Sequence, residues 1–145
     1  MTRVYLDSNV LLYAVGEESL FRQPCRHLLQ HVAKGDVAGE TSILTVQEVV
    51  HHRQRRGDIA PASHGRHVLA ICSTTHSLDH SVVLAALALM DDHATLGTGD
   101  AIHAATALAH GIGAVVSADS DFDGIAGIER IDPLDRERLA ALTSD

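Results

Sequence analysis

Arg3-Val4-Tyr5-Leu6-Asp7-Ser8-Asn9 is the stretch on which the reading of this chain turns. Arg3 to Leu6 is a short run of strand-forming residues, and a carboxylate closes it. The pattern returns far downstream, where Ala114-Val115-Val116 runs through Ser117-Ala118 into Asp119. Two more acids stand in apolar company. Glu48 interrupts Ile43-Leu44-Thr45-Val46-Gln47-Glu48-Val49-Val50, and Asp100 opens an alanine-rich helical segment. Burial disfavours the charged form of a carboxylate, so such residues need compensation. Four that converged would repel one another, and a divalent cation would relieve that repulsion. Carboxylates holding such a cation are a recurrent device for attacking phosphodiesters.

Working outward, short β-like runs alternate with longer helical ones, which predicts α/β architecture with a mainly parallel sheet. After the strand Arg3 to Leu6, a helix is expected from Phe21 to Lys34. It turns Cys25, Leu28, Leu29, Val32 and Ala33 to one face, and Gly35 stops it. A strand near Val37 to Thr41 leads to a helix capped by Thr41 or Ser42 and ending at Arg56-Gly57. Pro61 begins another helix, with Val68, Leu69 and Cys72 inward. An extended piece near Ser77 to Asp79 precedes the helix Ser81 to Asp92, which is apolar almost all round. That helix is read as either deeply buried or part of a subunit interface. The helix Asp100 to His110 and strands near Ala114 to Ser117 and Ile128 to Ile131 complete the pattern. With no repeat or linker, residues 1–145 are read as one domain.

Composition excludes several functions. The chain carries 11 Lys and Arg against 19 Asp and Glu, for a formal charge of −8, which disfavours a passive nucleic-acid coat. Aromatic residues make up 3% and Trp is absent, so base stacking on aromatic platforms is not its mode of binding. Cys25 and Cys72 stand alone and read as buried apolar residues of a reducing compartment. The densest apolar run, Val82 to Met90, is far short of the roughly 20 residues that span a bilayer. No secretory signal is seen, so a soluble cytoplasmic protein is expected, with no membrane partner. The histidines are not read as zinc ligands, and His103, one turn after Asp100, is read as a packing or supporting residue and not a ligand.

In open parallel sheets, ligand sites form beyond the carboxyl ends of the strands. Asp7 and Asp119 lie at that edge, and Asp100, at a helix start, faces the same rim. Here the residues resemble the PIN-domain nucleases, and in size and layout their VapC-type toxin ribonucleases of bacterial toxin–antitoxin pairs. The pieces are Val4-Tyr5-Leu6-Asp7-Ser8-Asn9, Thr45-Val46-Gln47-Glu48, Gly97-Thr98-Gly99-Asp100-Ala101-Ile102-His103-Ala104-Ala105, Ser117-Ala118-Asp119-Ser120-Asp121-Phe122-Asp123 and the closing Ile131-Asp132-Pro133. They span essentially the whole chain.

The resemblance implies a three-layer α/β/α sandwich around a parallel sheet of four or five strands. It maps catalytic carboxylates onto Asp7, Glu48, Asp100 and Asp119, with Asp7, Asp100 and Asp119 as ligands of Mg²⁺ or Mn²⁺. Ser8 and Ser117 are the supporting hydroxyls, Ser117 standing where threonine is commoner. Asp121 and Asp123 read as loop charges or a local cap, with Asp121 kept as a supporting residue. The implied activity is hydrolysis of RNA leaving 5′-phosphate and 3′-hydroxyl ends, with Glu48 orienting the attacking water. Implied partners are an RNA substrate, a cognate antitoxin and a second copy of the chain in a homodimer. The apolar faces of Phe21 to Lys34 and Ser81 to Asp92 are candidate contacts. The basic stretch His51-His52-Arg53-Gln54-Arg55-Arg56 is either a phosphate-binding edge or a helix end favoured by its dipole.

Two other enzyme or binding classes fit less well. An aspartate-nucleophile phosphatase wants a lysine beside the acids, and Lys34 is the only lysine, at a helix end. A non-catalytic relative would be expected to lack one of the acids. A housekeeping PIN nuclease outside any toxin system is the alternative that the residues leave open.

Overall fold

The computed structural model describes residues 1–144. Five strands run β1 (Arg3–Leu6), β2 (Ala38–Ser42), β3 (Thr74–His76), β4 (Ala114–Val116) and β5 (Glu129–Ile131). They pair in the order β3-β2-β1-β4-β5, and every pairing is parallel. The chain thus starts in the middle of the sheet and winds out to both edges. β1 and β4 lie side by side, with Leu6 opposite Val116. The residues that follow them, Asp7 and Ser117, therefore emerge next to each other.

Seven helices occur among the described residues: α1 (Ser8–Val15), α2 (Arg22–Lys34), α3 (Ile43–Arg55), α4 (Pro61–Ile71), α5 (His80–Asp92), α6 (Thr98–Ala109) and α7 (Arg136–Thr143). Strand alternation sorts the core into two layers. Val4, Leu6 and Val116 point to one side, where Val10 of α1, Leu28 of α2, Val49 of α3, Val68 of α4 and Leu142 of α7 meet them. Tyr5 and Val115 point to the other, against Val82 and Ala86 of α5 and the alanines of α6. This is the α/β/α arrangement expected from the sequence, with five strands.

Several local expectations change. The extended piece near Ser77 to Asp79 lies too late: β3 is Thr74–His76, and Asp79 instead caps α5 by accepting a hydrogen bond from Val82 N at 2.9 Å. α1 and α7 were not separate expectations. Asp7 and Asp135 cap them, accepting from Ser8 N and Arg138 N. Leu69 and Ala33, expected inward, face out, while Val68, Cys72, Cys25 and Leu28 are buried. α5 is not deeply buried, since it packs one face on α6 and leaves Leu84 and Leu87 exposed. Cys25 and Cys72 are buried free thiols, and burial pushes both up to about 12, so neither is a reactive thiolate. Among the described residues, no helix is long and apolar enough to cross a membrane.

Candidate functional site

The buried end of β1 sets the centre. Asp7 is 3% exposed, and its carboxylate is heavily engaged. Oδ1 accepts from Ser8 N at 2.7 Å, while Oδ2 accepts from Ser117 Oγ at 2.7 Å and Asn9 Nδ2 at 3.1 Å. The Ser8 hydroxyl lies farther off, 3.5 Å from Oδ1. Burial raises the pKa of Asp7, the charge of His103 and the Ser117 and Ser8 hydrogen bonds pull the other way, and Glu48 adds to the rise. Ser117 is shared: its Oγ also accepts from Asp119 N at 2.9 Å, which ties β1 to the loop after β4.

Asp119 lies in that loop and Asp100 in the first turn of α6. Burial first, then a hydrogen bond with Asp119 and the charges of Asp7 and Asp119, push Asp100 up to about 7. Asp119 Oδ1 accepts from Asp121 N at 2.9 Å, folding the turn Ser120–Phe122 back toward the rim. One carboxylate oxygen each from Asp100, Asp119 and Asp121 then lies within 4.8 Å of the others. Asp123 takes no part and pairs with Arg130 at 2.8 Å.

Glu48, on α3, reaches the same rim. Its Oε1 accepts from His103 Nε2 at 2.6 Å, and the same ring nitrogen is 3.5 Å from Asp7 Oδ1. Its Oε2 lies 3.3 Å from where a Cβ on Gly99 would sit, so Gly99 makes room for it beside Asp100. His103 is fully buried, and Tyr5 Oη hydrogen-bonds its Nδ1 at 2.7 Å and Ser42 Oγ at 2.9 Å. Burial pulls the His103 pKa down, but the Glu48 hydrogen bond and the charges of Asp7, Glu48 and Asp100 outweigh it, for a net rise.

The four acids Asp7, Glu48, Asp100 and Asp119 thus meet at one edge of the sheet. The tightest cluster, however, includes Asp121 and leaves out Asp7 and Glu48. Asn9, to which the sequence gave no role, and His103, read there as a packing or supporting residue, are both structural members of the site. Their signals were Asn9's place two residues after Asp7 and His103's place three after Asp100, on the same helical face.

The donor set fits a hard divalent cation. The available ligands are carboxylate oxygens, and a cation beside them would favour ionisation of Asp100, which is otherwise pushed up to about 7. A groove of about 750 Å³ begins at Asn9 and runs between α1 and the end of α3, lined by the acids Glu17 and Glu18 as well as by His52, Arg53 and Arg56. Arg53 is paired with Asp58 at 3.2 Å.

Comparison with known proteins agrees with this fold. The family model described as PIN domain matches residues 4–128. Ribonuclease VapC7 of Mycobacterium tuberculosis is 34% identical over 144 residues, covering 98% of this chain and 99% of that protein. VapC ribonuclease Mb1869c of Mycobacterium bovis is 27% identical over 131 residues, covering 88% of this chain and 98% of that protein. Among solved structures, a toxin-antitoxin complex from Klebsiella pneumoniae superposes with a TM-score of 0.68 at 20% identity, covering 90% of this chain and 97% of that chain. VapBC2 from Rickettsia felis, bound to a DNA fragment from its promoter, gives 0.70 at 14% identity, covering 90% and 98%. At such identities the structural likeness speaks for the fold.

Proposed function

This chain belongs to the PIN-domain family, and from that premise we propose that it is a divalent-metal-dependent endoribonuclease, the toxin of a toxin–antitoxin pair. One observation carries the reading. Carboxylate oxygens of Asp100, Asp119 and Asp121 converge, and burial first, then Asp119 and Asp7, push Asp100 up to about 7. A fold does not by itself need such an arrangement, and a cation site does.

In this reading Asp7, Asp100 and Asp119 would hold the ion, with Asp121 in support, and the all-oxygen set favours Mg²⁺ or Mn²⁺. When bound, such an ion supplies Lewis acidity toward phosphate and water and lets the carboxylates ionise together. Everything else falls to the protein's own groups. Ser117 and Asn9 fix the Asp7 carboxylate through Oδ2, and the Ser8 amide fixes Oδ1. Glu48 would orient a water and accept its proton as the water oxygen bonds to phosphorus; the P–O3′ bond breaks, the leaving 3′-oxygen takes a proton from solvent, and the ends are 5′-phosphate and 3′-hydroxyl. The RNA strand lies along the groove from Asn9 toward Arg56, where the exposed arginine meets a backbone phosphate. Residues 1–145 act as one nuclease domain, as a homodimer and with a cognate antitoxin. The VapC names of the relatives and the toxin–antitoxin complexes among the structural neighbours support the antitoxin partner.

The test is cleavage of cellular RNA by purified protein. Activity is expected with Mg²⁺ or Mn²⁺, none with a chelator, and a loss of about hundredfold or more in Asp100→Asn. Full turnover of that variant, freed of contaminating nuclease, would contradict the proposal.

A further inference from the structure

We propose that His103 is a positioning residue that sets the Glu48 carboxylate for the reaction, held in turn from behind by Tyr5 and Ser42. The inference rests on the nuclease reading above and adds residues to its machinery.

The observation is a continuous polar chain through the buried interior. Ser42 Oγ, Tyr5 Oη, His103 Nδ1, His103 Nε2 and Glu48 Oε1 are linked at 2.9, 2.7 and 2.6 Å across the hydroxyl, ring and carboxylate contacts. Tyr5, Ser42 and His103 are all fully buried. α6 fills its remaining buried positions mainly with alanine, so bulk alone does not call for an imidazole there. Burying three polar side chains is costly unless each finds a partner, and here each does. A carboxylate offers no proton, so the Nε2–H is the donor to Glu48. With both ring nitrogens engaged, the plane of the imidazole is fixed.

The consequence falls on Glu48. Its side chain has three rotatable bonds and reaches out from α3 toward other carboxylates that repel it. His103 holds one oxygen, and Gly99 leaves just enough space for the other, 3.3 Å from the position of its absent Cβ. The same ring nitrogen is 3.5 Å from Asp7 Oδ1, but Asp7 is held by Ser8, Asn9 and Ser117, so the hydrogen bond of His103 falls on Glu48 alone. Without it, Glu48 is free to swing toward solvent. The cluster Asp100, Asp119 and Asp121 is built by other contacts and would remain.

The experiment is a pair of double-mutant cycles. His103→Leu and Tyr5→Phe are made alone and in a Glu48→Ala background, with Asp100→Asn alongside. Each is measured for RNA cleavage, for thermal melting, and for Mn²⁺ binding by calorimetry on the metal alone. Each single change is expected to lower kcat about tenfold to a hundredfold, as misplacement of a reacting group does, with KM within about twofold. Mn²⁺ affinity should stay within about threefold, and His103→Gln, which restores an N–H donor, should recover part of kcat. In the Glu48→Ala background the further loss should be under about twofold, because the group through which His103 acts is gone. Losses that multiply in both backgrounds, or wild-type turnover in folded His103→Leu and Tyr5→Phe, overturn the proposal. If His103→Leu does not fold, the near-isosteric Tyr5→Phe cycle decides by the same criteria. Full turnover in Asp100→Asn overturns the nuclease reading and this inference with it; a hundredfold loss there with multiplying losses in the cycles overturns the positioning role alone.

Discussion

Asp100 is the residue on which electrostatics bear most heavily. Its pKa rises from 3.8 to about 7 in the metal-free protein, chiefly through burial and then through Asp119 and Asp7. The folded state therefore holds this proton more tightly than the unfolded chain does. Between those two values the folded protein binds more protons, and its stability falls as pH rises. Asp7 and His103, both shifted upward, act in the same sense. Glu40 acts oppositely. Its pKa is lowered from 4.5 by the hydrogen bond from Arg3, against some loss to burial, with help from His76, so its contribution is lost only as pH drops below that range. Metal-free protein is thus expected to melt at progressively lower temperature from about pH 5 to pH 7, and added Mg²⁺ should largely restore Tm at pH 7. A Tm that climbs over this interval without metal would show that the carboxylates are not in conflict. At this scale the sequence was informative where a charge interrupts an apolar run, as at Asp7 and Glu48. It named Asp121 only as a supporting residue, because the approach of Asp121 to the other acids depends on a short turn closed by Asp119.

Elements bring these residues together by close packing as much as by hydrogen bonding. Gly39 of β2 shows how little slack there is. A Cβ there would sit 2.7 Å from both Val32 methyl carbons of α2 and 3.1 Å from Leu6 of β1. Gly39→Ala must push α2 away from the sheet, at a cost of about 1–3 kcal/mol, the usual range for overpacking. Chemical denaturation should show a lower midpoint with unchanged cleavage per folded molecule. An unaltered midpoint would mean that α2 yields freely. Helices with clear stop signals were readable from sequence. Gly35, in the left-handed conformation at φ 82°, ends α2 where the spacing placed it, one residue after Lys34. β3 was misplaced because Thr74-Thr75-His76 is polar and carries no strand alternation. Glu40 fixes it from the neighbouring strand, accepting from His76 Nε2 at 2.8 Å. α7 was missed because its weakly amphipathic sequence buries little besides Leu142.

At the scale of the whole molecule, sheet order does the work. β1 and β4 lie side by side in the centre, so two acids more than a hundred residues apart share the bond network of Ser117. The sequence could show that acids sit at strand ends. It could not give the order of strands, which parallel pairing and the cover on both faces determine together. The α5 face carrying Leu84 and Leu87 is exposed in the single chain. In the homodimer and antitoxin reading such apolar residues become contacts, so Leu84→Glu with Leu87→Glu should shift the sedimentation of the protein toward that of a single chain. An unchanged sedimentation coefficient would put the subunit contact elsewhere. The most direct test of the central claim is an anomalous difference map from crystals grown with Mn²⁺. The account expects a peak within coordination distance of Asp7, Asp100 and Asp119, with Asp121 in support. Fully occupied Mn²⁺ bound elsewhere, with those carboxylates empty, would contradict it.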